Sequence, residues 1–408
     1  MTPQAGERPS LAIVMTRLRR LLNLDPLSQL ATFEAGVAGP DLEAQLRAKG
    51  FILGHYPQSF DYATLGGWIA TRSSGQQSAR YGRIEAMFAG GRIETPTGAL
   101  EIPPFPASAA GPDLREWVLG SEGRIGVITR ATVRVARLPE REMFIGYFLP
   151  RWDAGEAAAQ ALAQSRIGLS MVRLANAAET LAALRMAGGG TAVGWLERYL
   201  AVRGCREDKV LLLLGFTGGV AQVEAMRMQA ATILRRHGAV STGALLGRKW
   251  RVSRFKSAYL RNALWSSGYA IDTMETAVNW PRVSATVRAM EGAGRDALAA
   301  LGEKCHVQTH LSHVYPQGSS VYSTFVFRVG PDFDTTFVRW RALKTAVSQA
   351  IVREGGTISH QHGVGKDHAP YLAAEKGQRG MRALAAMIDH FDPDGVLASG
   401  NLLAERAP

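Results

Sequence analysis

The second half of the chain alternates strand-like and helix-like runs, and that alternation limits the folds open to it. Residues 209–215, K-V-L-L-L-L-G, are apolar on both faces and so predict a buried strand. Around that run the apolar period switches repeatedly between 2 and 3.6. Residues 142–149, 169–174, 306–314 and 320–329 read as strands. Residues 154–164, the A-N-A-A-E-T-L-A-A-L-R run, 220–237, 283–301 and 333–354 read as helices. This order predicts an α+β fold with an antiparallel sheet and helices on one face. A last helix, 371–391, stops at D-P-D-G.

The first half has shorter elements. Strands are expected at 11–15 and 31–36. Asp41 and Glu43 suit the N-terminus of a helix running to Lys49, and Gly50 closes it. Strand ends follow at 82–85 and a hairpin at 91–100 around T-P-T-G. A strand after Gly126 should place Val127, Ala131, Val133 and Val135 on one face, with Arg130 and Arg134 on the other. Leu138, Pro139 and Glu140 mark a boundary, and the expected domains are 1–138, 139–366 and, set apart as a C-terminal helical segment, 367–408.

Three polar, glycine-rich stretches interrupt these elements. Residues 357–366, T-I-S-H-Q-H-G-V-G-K, crowd His360, Gln361 and His362 against glycines, which permit positive φ and close approach of a ligand. Such a pair of imidazoles can also simply solvate a turn. Residues 54–75 mix glycine and hydroxyl side chains around Trp68, a composition that lays N–H and O–H groups along a polyanion or a flat ring. Residues 120–136 begin G-S-E-G-R-I-G-V-I-T. Ordinary loops are the competing reading for each.

Composition excludes more than it assigns. A chain of 408 residues, 46% hydrophobic, can build a large core without disulfides. Cys205 and Cys305 form no C-x-x-C pair, which fits a reducing cytoplasm and offers no zinc ribbon. The net charge of +12 is mostly arginine and suits an anionic substrate or an acidic membrane surface. There is no Lys/Arg block interleaved with aromatics, so nucleic acid is not the expected partner. No run is long and apolar enough to span a bilayer, and the first residues lack a signal-peptide pattern.

Taken together, P-Q-S-F-D-Y-A-T-L-G-G-W-I-A-T-R-S-S-G, G-S-E-G-R-I-G-V-I-T, S-H-Q-H-G-V-G-K and D-P-D-G-V-L-A-S-G-N-L-L resemble the vanillyl-alcohol-oxidase-type (PCMH-type) FAD flavoproteins, and within them the alkyldihydroxyacetonephosphate synthase (alkylglycerone-phosphate synthase) family. The resemblance runs from about residue 13 to 403. It implies a partial FAD-binding domain, a ferredoxin-like antiparallel cap domain, and a C-terminal helical segment that returns to the flavin. It also implies FAD as cofactor and no metal. FAD would be held by Gln58, Ser59, Phe60, Asp61, Tyr62, Ala63 and Thr64, by Thr71, Arg72, Ser73 and Ser74, and by Glu122, Gly123, Arg124, Ile125, Gly126, Val127 and Ile128. Tyr322, Arg173 and the His360–Gln361–His362 triplet match catalytic positions, Arg261 matches a substrate-phosphate arginine, and residues 399–403 match a segment needed for activity.

The implied reaction exchanges the acyl group of acyl-dihydroxyacetone phosphate for a fatty alcohol, without net oxidation. Tyr322 would take the proton beside the ketone if an arginine such as Arg261 lowered its pKa, and the histidines would relay protons and neutralise the leaving carboxylate. The flavin would act as nucleophile. Two departures stand out. Gln361 occupies the middle of a histidine triplet and cannot titrate, and the matched region starts after the family's P-x-G-G-G-T-S-type pyrophosphate loop, as expected of a truncated reading frame or a wrongly called start. A phosphorylated lipid-like substrate, a homodimer and a cytoplasmic site with peripheral membrane contact complete the expectation. Two alternatives stay open: an FAD-linked 2-hydroxy-acid dehydrogenase or oxidase, and a non-catalytic remnant. The dehydrogenases' H-x-G-D-G-N-like metal stretch corresponds to H-L-S-H-V-Y-P-Q-G here, without an acidic ligand. His306, His310 and His313 have no recognised zinc spacing.

Overall fold

The computed structural model describes residues 11–186, 191–397 and 400–403. Its strands, in chain order, are β1 (Leu21–Asp25), β2 (Leu30–Glu34), β3 (Phe51–Ile52), β4 (Phe88–Thr95), β5 (Gly98–Ile102), β6 (Val127–Arg134), β7 (Ala136–Arg137), β8 (Arg141–Leu149), β9 (Met171–Ala175), β10 (Val210–Gly218), β11 (Val240–Ser241), β12 (Tyr269–Asn279), β13 (His306–Leu311) and β14 (Gly318–Arg328). They form a five-stranded sheet, order β1-β2-β6-β4-β5, a seven-stranded sheet, order β11-β8-β10-β9-β13-β14-β12, and the small pair β3-β7.

The five-stranded sheet packs Phe33, Phe88, Ile93 and Val133 against Leu42 and Leu46 of the helix Gly39–Arg47 and Trp68 of the helix Leu65–Ala70. Three sequence expectations change here. Residues 11–15 are not a strand: the chain turns at Met15–Leu18 across Gly36, where a Cβ would stand 2.0 Å from the Met15 carbonyl oxygen. That leaves Leu11, Ile13 and Val14 exposed, and the first strand is β1. Residues 84–87 form a helical turn after Gly82, whose φ is +84°. In β6 the pairing jumps from Arg92–Arg130 to Ile93–Ile128, so Thr129 is the extra residue of a bulge. Upstream of it the alternation inverts: Ile128 is buried and Val127 is not.

The seven-stranded sheet is antiparallel throughout and divides into two ferredoxin-like halves. In the first, β8, helix Trp152–Gln164, β9, β10, helix Val220–Arg236 and β11 give the order β11-β8-β10-β9. In the second, β12, helix Val283–Ala299, β13, β14 and helix Phe333–Arg353 give β13-β14-β12. β9 and β13 join the halves through the pairs His310–Ala175 and Leu311–Leu174. One face buries Leu174, Leu212, Leu214, Leu311, Val321 and Phe325 beneath those four helices. The expectation of helices on one face fails in the first half. Leu211 and Leu213 of β10, with Phe144 and Phe148 of β8, make the opposite face apolar too, and Leu184, Leu200, Leu246 and Trp250 cover it from three further helices. A strand apolar on both sides requires cover on both sides.

The helix Leu372–Phe391, kinked at Gly377 (φ 65°), sends Ile388 and Phe391 into the first core. Leu372 and Leu402 pack into the core of the second sheet.

Candidate functional site

Register on the other face of the second half sets out a row of polar side chains. Glu275 of β12 pairs with Tyr322 of β14, Tyr322 with His310 of β13, and His310 with Ala175 of β9. Directly paired residues share a face, so Glu275, Tyr322 and His310 project together, and Arg173, two residues from Ala175, joins them. The His310 and Tyr322 rings stack, with centroids 4.8 Å apart and planes 14° from parallel. His310 Nδ1 lies 2.9 Å from Glu179 Oε2 and 3.1 Å from an Arg173 Nη, and Arg173 donates to the other oxygen of Glu179. Burial alone would raise the Glu179 pKa, but Arg173 and His310 outweigh it and hold the carboxyl well below its usual range.

The histidine loop closes over this row. Oε1 of buried Glu275 accepts the backbone N–H groups of His360, Gln361 and His362 at 2.8, 3.0 and 3.2 Å, and the Ser359 hydroxyl at 3.0 Å. His360 Nε2 meets the Tyr315 hydroxyl at 2.7 Å. The His360 carbonyl accepts Arg83 Nη2 at 2.7 Å. Burial, with His313 and Arg83 adding to it, keeps the His360 pKa well below the ordinary imidazole value. His362 stands edge-on to Tyr322, centroids 5.3 Å apart, with its side chain 37% exposed.

The other two stretches meet the loop from the first sheet. Ser74 and Ser78 hydroxyls lie 3.0 and 2.9 Å from His313 Nδ1, and Ser73 lies 3.2 Å from His55 Nε2. Burial, reinforced by Arg83, drives both imidazoles down to about 3. Glu122, held at φ +50°, accepts the N–H groups of Val364 and Gly365. Asn401 donates to the Glu122 carbonyl at 2.9 Å, and Arg124 donates to the Asn401 carbonyl. Thr64 caps the helix Leu65–Ala70 by accepting from Gly67, and Arg72, also at positive φ, pairs with Glu116.

The remaining candidates are placed as follows. Phe60, Ile125 and Ile128 are core residues, and Phe60 stacks on Trp68 and Phe255. Gln58, Ser59, Asp61 and Tyr62 are exposed, and Ala63, Thr71 and Val127 are half-buried. At Gly126 a Cβ would stand 2.4 Å from the Glu94 carbonyl oxygen, so the chain crosses β4 closely there. Ser399 lies outside the described residues. Arg261 stands exposed on the helix Leu260–Ser266, and the cation acting on Tyr322 is Arg173. The expected lowering of the Tyr322 pKa is reversed. Burial, supported by Glu275 and Asp272, pushes the phenol up to about 12. His306, His310 and His313 do not converge, and no cluster of metal-ligating side chains occurs among the described residues. Sequence reasoning missed Glu275, Glu179, Tyr315 and Arg83. An acidic residue inside an otherwise apolar strand, as in M-E-T-A-V, was the available signal for Glu275.

Parts of the seam between the three stretches are open enough for FAD, although Glu122 takes the Val364 and Gly365 N–H groups and Gly126 abuts β4. A Cβ on Gly123 or Gly365 would meet nothing within 4 Å, and one on Gly67 only the Thr64 hydroxyl at 3.3 Å. Trp68 Nε1 and His55 Nδ1, both within the 54–75 stretch, are buried and have no hydrogen-bond partner among the described residues.

Residues 138–402 match the family of FAD linked oxidases, C-terminal domain, and residues 1–102 match the FAD binding domain family. The chain therefore belongs to the FAD-linked oxidases, a family of flavoenzymes whose cofactor is FAD. Within that class it is similar to the alkyldihydroxyacetonephosphate synthase of Trypanosoma brucei brucei, with 30% identity over 98% of this chain and 66% of that protein. A solved alkyldihydroxyacetonephosphate synthase superimposes with a TM-score of 0.81 at 27% identity, over 97% of this chain and 68% of the other. The glycolate oxidase subunit GlcD of Bacillus subtilis is 24% identical over 97% of this chain and 80% of its own. The chain spans about two thirds of the length of the synthases it matches.

Proposed function

We propose that this chain is an FAD-dependent alkyl transferase of the ether-lipid type, exchanging the acyl group of acyl-dihydroxyacetone phosphate for a fatty alcohol. The observation that carries the reading is the row Glu275–Tyr322–His310–Arg173 beneath the His360–His362 loop, in a chain similar to the synthases along nearly its whole length. The 64–74, 120–126 and 359–365 backbones would hold FAD, and bound FAD supplies the nucleophilic centre of the exchange. Arg261, exposed and planar, is suited to a substrate phosphate.

Tyr322 is a neutral phenol at rest. To take up the proton beside the substrate ketone it must release its own, and His362, edge-on and partly exposed, is the imidazole that can pass that proton to water. His360 is neutral, so it serves as a hydrogen-bond partner rather than as a cation for the leaving carboxylate. Gln361 can only hydrogen-bond. His310, tied to Glu179, keeps the Arg173 charge close to the phenol.

The test supplies FAD, acyl-dihydroxyacetone phosphate and labelled hexadecanol. The expected result is incorporation of label, reduced about 10²–10⁴-fold in Tyr322→Phe. Full activity of that variant removes Tyr322 from the chemistry. Bleaching of bound flavin by D-lactate or D-2-hydroxyglutarate would favour a dehydrogenase like the GlcD relative, and protein that stays colourless after FAD addition would favour a non-catalytic remnant.

A homodimer touching a membrane completes the proposal. From Ala225 to Ile271 the chain has no Asp or Glu and nine Lys or Arg. Within this segment Val252, Trp265, Arg248, Arg251 and Arg261 are all exposed, a chemistry suited to an anionic lipid surface. No helix among the described residues is long and apolar enough to cross a membrane. Sedimentation should give twice the 44.0 kDa chain mass, and liposomes containing anionic lipid should co-sediment with the protein.

A further inference from the structure

Glu275 is buried among charged and polar groups, and its two oxygens are used unequally. Oε1 takes four donors from residues 359–362. Oε2 has no hydrogen-bond partner among the described residues and lies 3.6 Å from His360 Nδ1, which has none either. The opposite ring nitrogen, Nε2, is 2.7 Å from the Tyr315 hydroxyl. A neutral imidazole carries one ring proton, and its position follows from what each nitrogen faces. A carboxylate oxygen offers only lone pairs, whereas a phenol can donate. The lower-energy arrangement therefore puts the proton on Nδ1, toward Glu275, and leaves Nε2 to accept from Tyr315.

We propose that Glu275 is a positioning residue with two tasks: its Oε1 shapes the 359–362 loop, and its Oε2 fixes His360 as the Nδ1–H tautomer, so that Tyr315 points its hydroxyl hydrogen at Nε2. The value of this for catalysis rests on the transferase reading above, because the loop it shapes also carries His362 to the edge of Tyr322. The tautomer itself does not rest on that reading. Carboxylate-held histidines are oriented in the same way at metal centres, where the outer partner fixes the ring. Here the held ring faces a tyrosine.

The experiment uses the full chain labelled with ¹⁵N-histidine, and assigns His360 through His360→Gln. The wild type should show the Nδ1–H signature at residue 360. Glu275→Gln should move it to Nε2–H and speed backbone amide exchange at residues 360–362 about tenfold or more. Tyr315→Phe should leave the tautomer as Nδ1–H, since Glu275 remains. An Nε2–H signal in the wild type, or a switch of tautomer in Tyr315→Phe, overturns the proposal. If Glu275→Gln does not fold, the wild-type and Tyr315→Phe spectra still decide it. In label-exchange assays Glu275→Gln should lower kcat more than it raises KM. An Nδ1–H signature in a chain with no exchange activity would sink the transferase reading while leaving the assignment intact.

Discussion

The two halves of the seven-stranded sheet share a frame and differ in what they do with one of its faces. In the first half that face carries Phe144, Phe148, Leu211 and Leu213, sealed by three helices. In the second half the same side of the sheet carries Glu275, Tyr322 and His310, covered by the 359–362 loop, with Ser74 and Ser78 reaching in to His313. The frame does not choose the chemistry. The side chains at equivalent register positions do, and the polar half must supply a hydrogen-bond partner for nearly everything it buries.

That contrast predicts different responses to substitution. The largest effect belongs to the apolar half: Phe148→Ala should cost about 3–5 kcal/mol in urea unfolding, with exchange activity per folded molecule unchanged. Altered activity in the folded fraction would mean the halves are coupled. Next is Glu179→Gln, which leaves the largely covered Arg173 without its charge partner and should cost about 3 kcal/mol at neutral pH. The folded Glu179 pKa is depressed, so its contribution is present above the unfolded value, about 4.3, and fades as the pH falls below it. Comparing both proteins at pH 7 and pH 3 should show the gap closing, and a constant gap removes the ion pair as its cause.

His313→Asn should cost about 1–2 kcal/mol through its lost hydrogen bonds to Ser74 and Ser78. Neutral His313 stabilises the fold fully above its unfolded pKa, about 6.5, and that contribution is lost as the pH falls toward about 3. The variant should show a shallower acid slope in that window, and an unchanged slope would place the titration elsewhere. Smallest is Thr64→Ala, which removes a helix cap for about 1 kcal/mol. A larger loss in its thermal midpoint than that implies would give Thr64 a second partner in the first sheet.

Sequence read the frame better than the site. Buried β10, the 333–354 helix and the hairpin at Thr95–Gly98 announce themselves through period and turn chemistry. The three glycine-rich stretches also stood out, because small and polar residues rarely crowd together without a backbone reason. Glu275 and Glu179 did not: a single acid carries no period, and its meaning comes from partners 85 and 131 residues away. β12 escaped for the related reason that its alternation is broken by Asp272 and Glu275. The Thr129 bulge inverted a facing pattern that looked regular, since an inserted residue leaves no mark in composition. The direction of the Tyr322 shift was missed because burial is a property of the assembled sheet.

Asn401 grips Glu122 across 279 positions of chain. On a ribosome the earlier partner is exposed to the cell long before the later one has been made. That contact can form only once residue 401 has been made, so a peptide inserted close behind Leu403 should disturb capture of the cofactor more than its distance from the row of Tyr322 suggests.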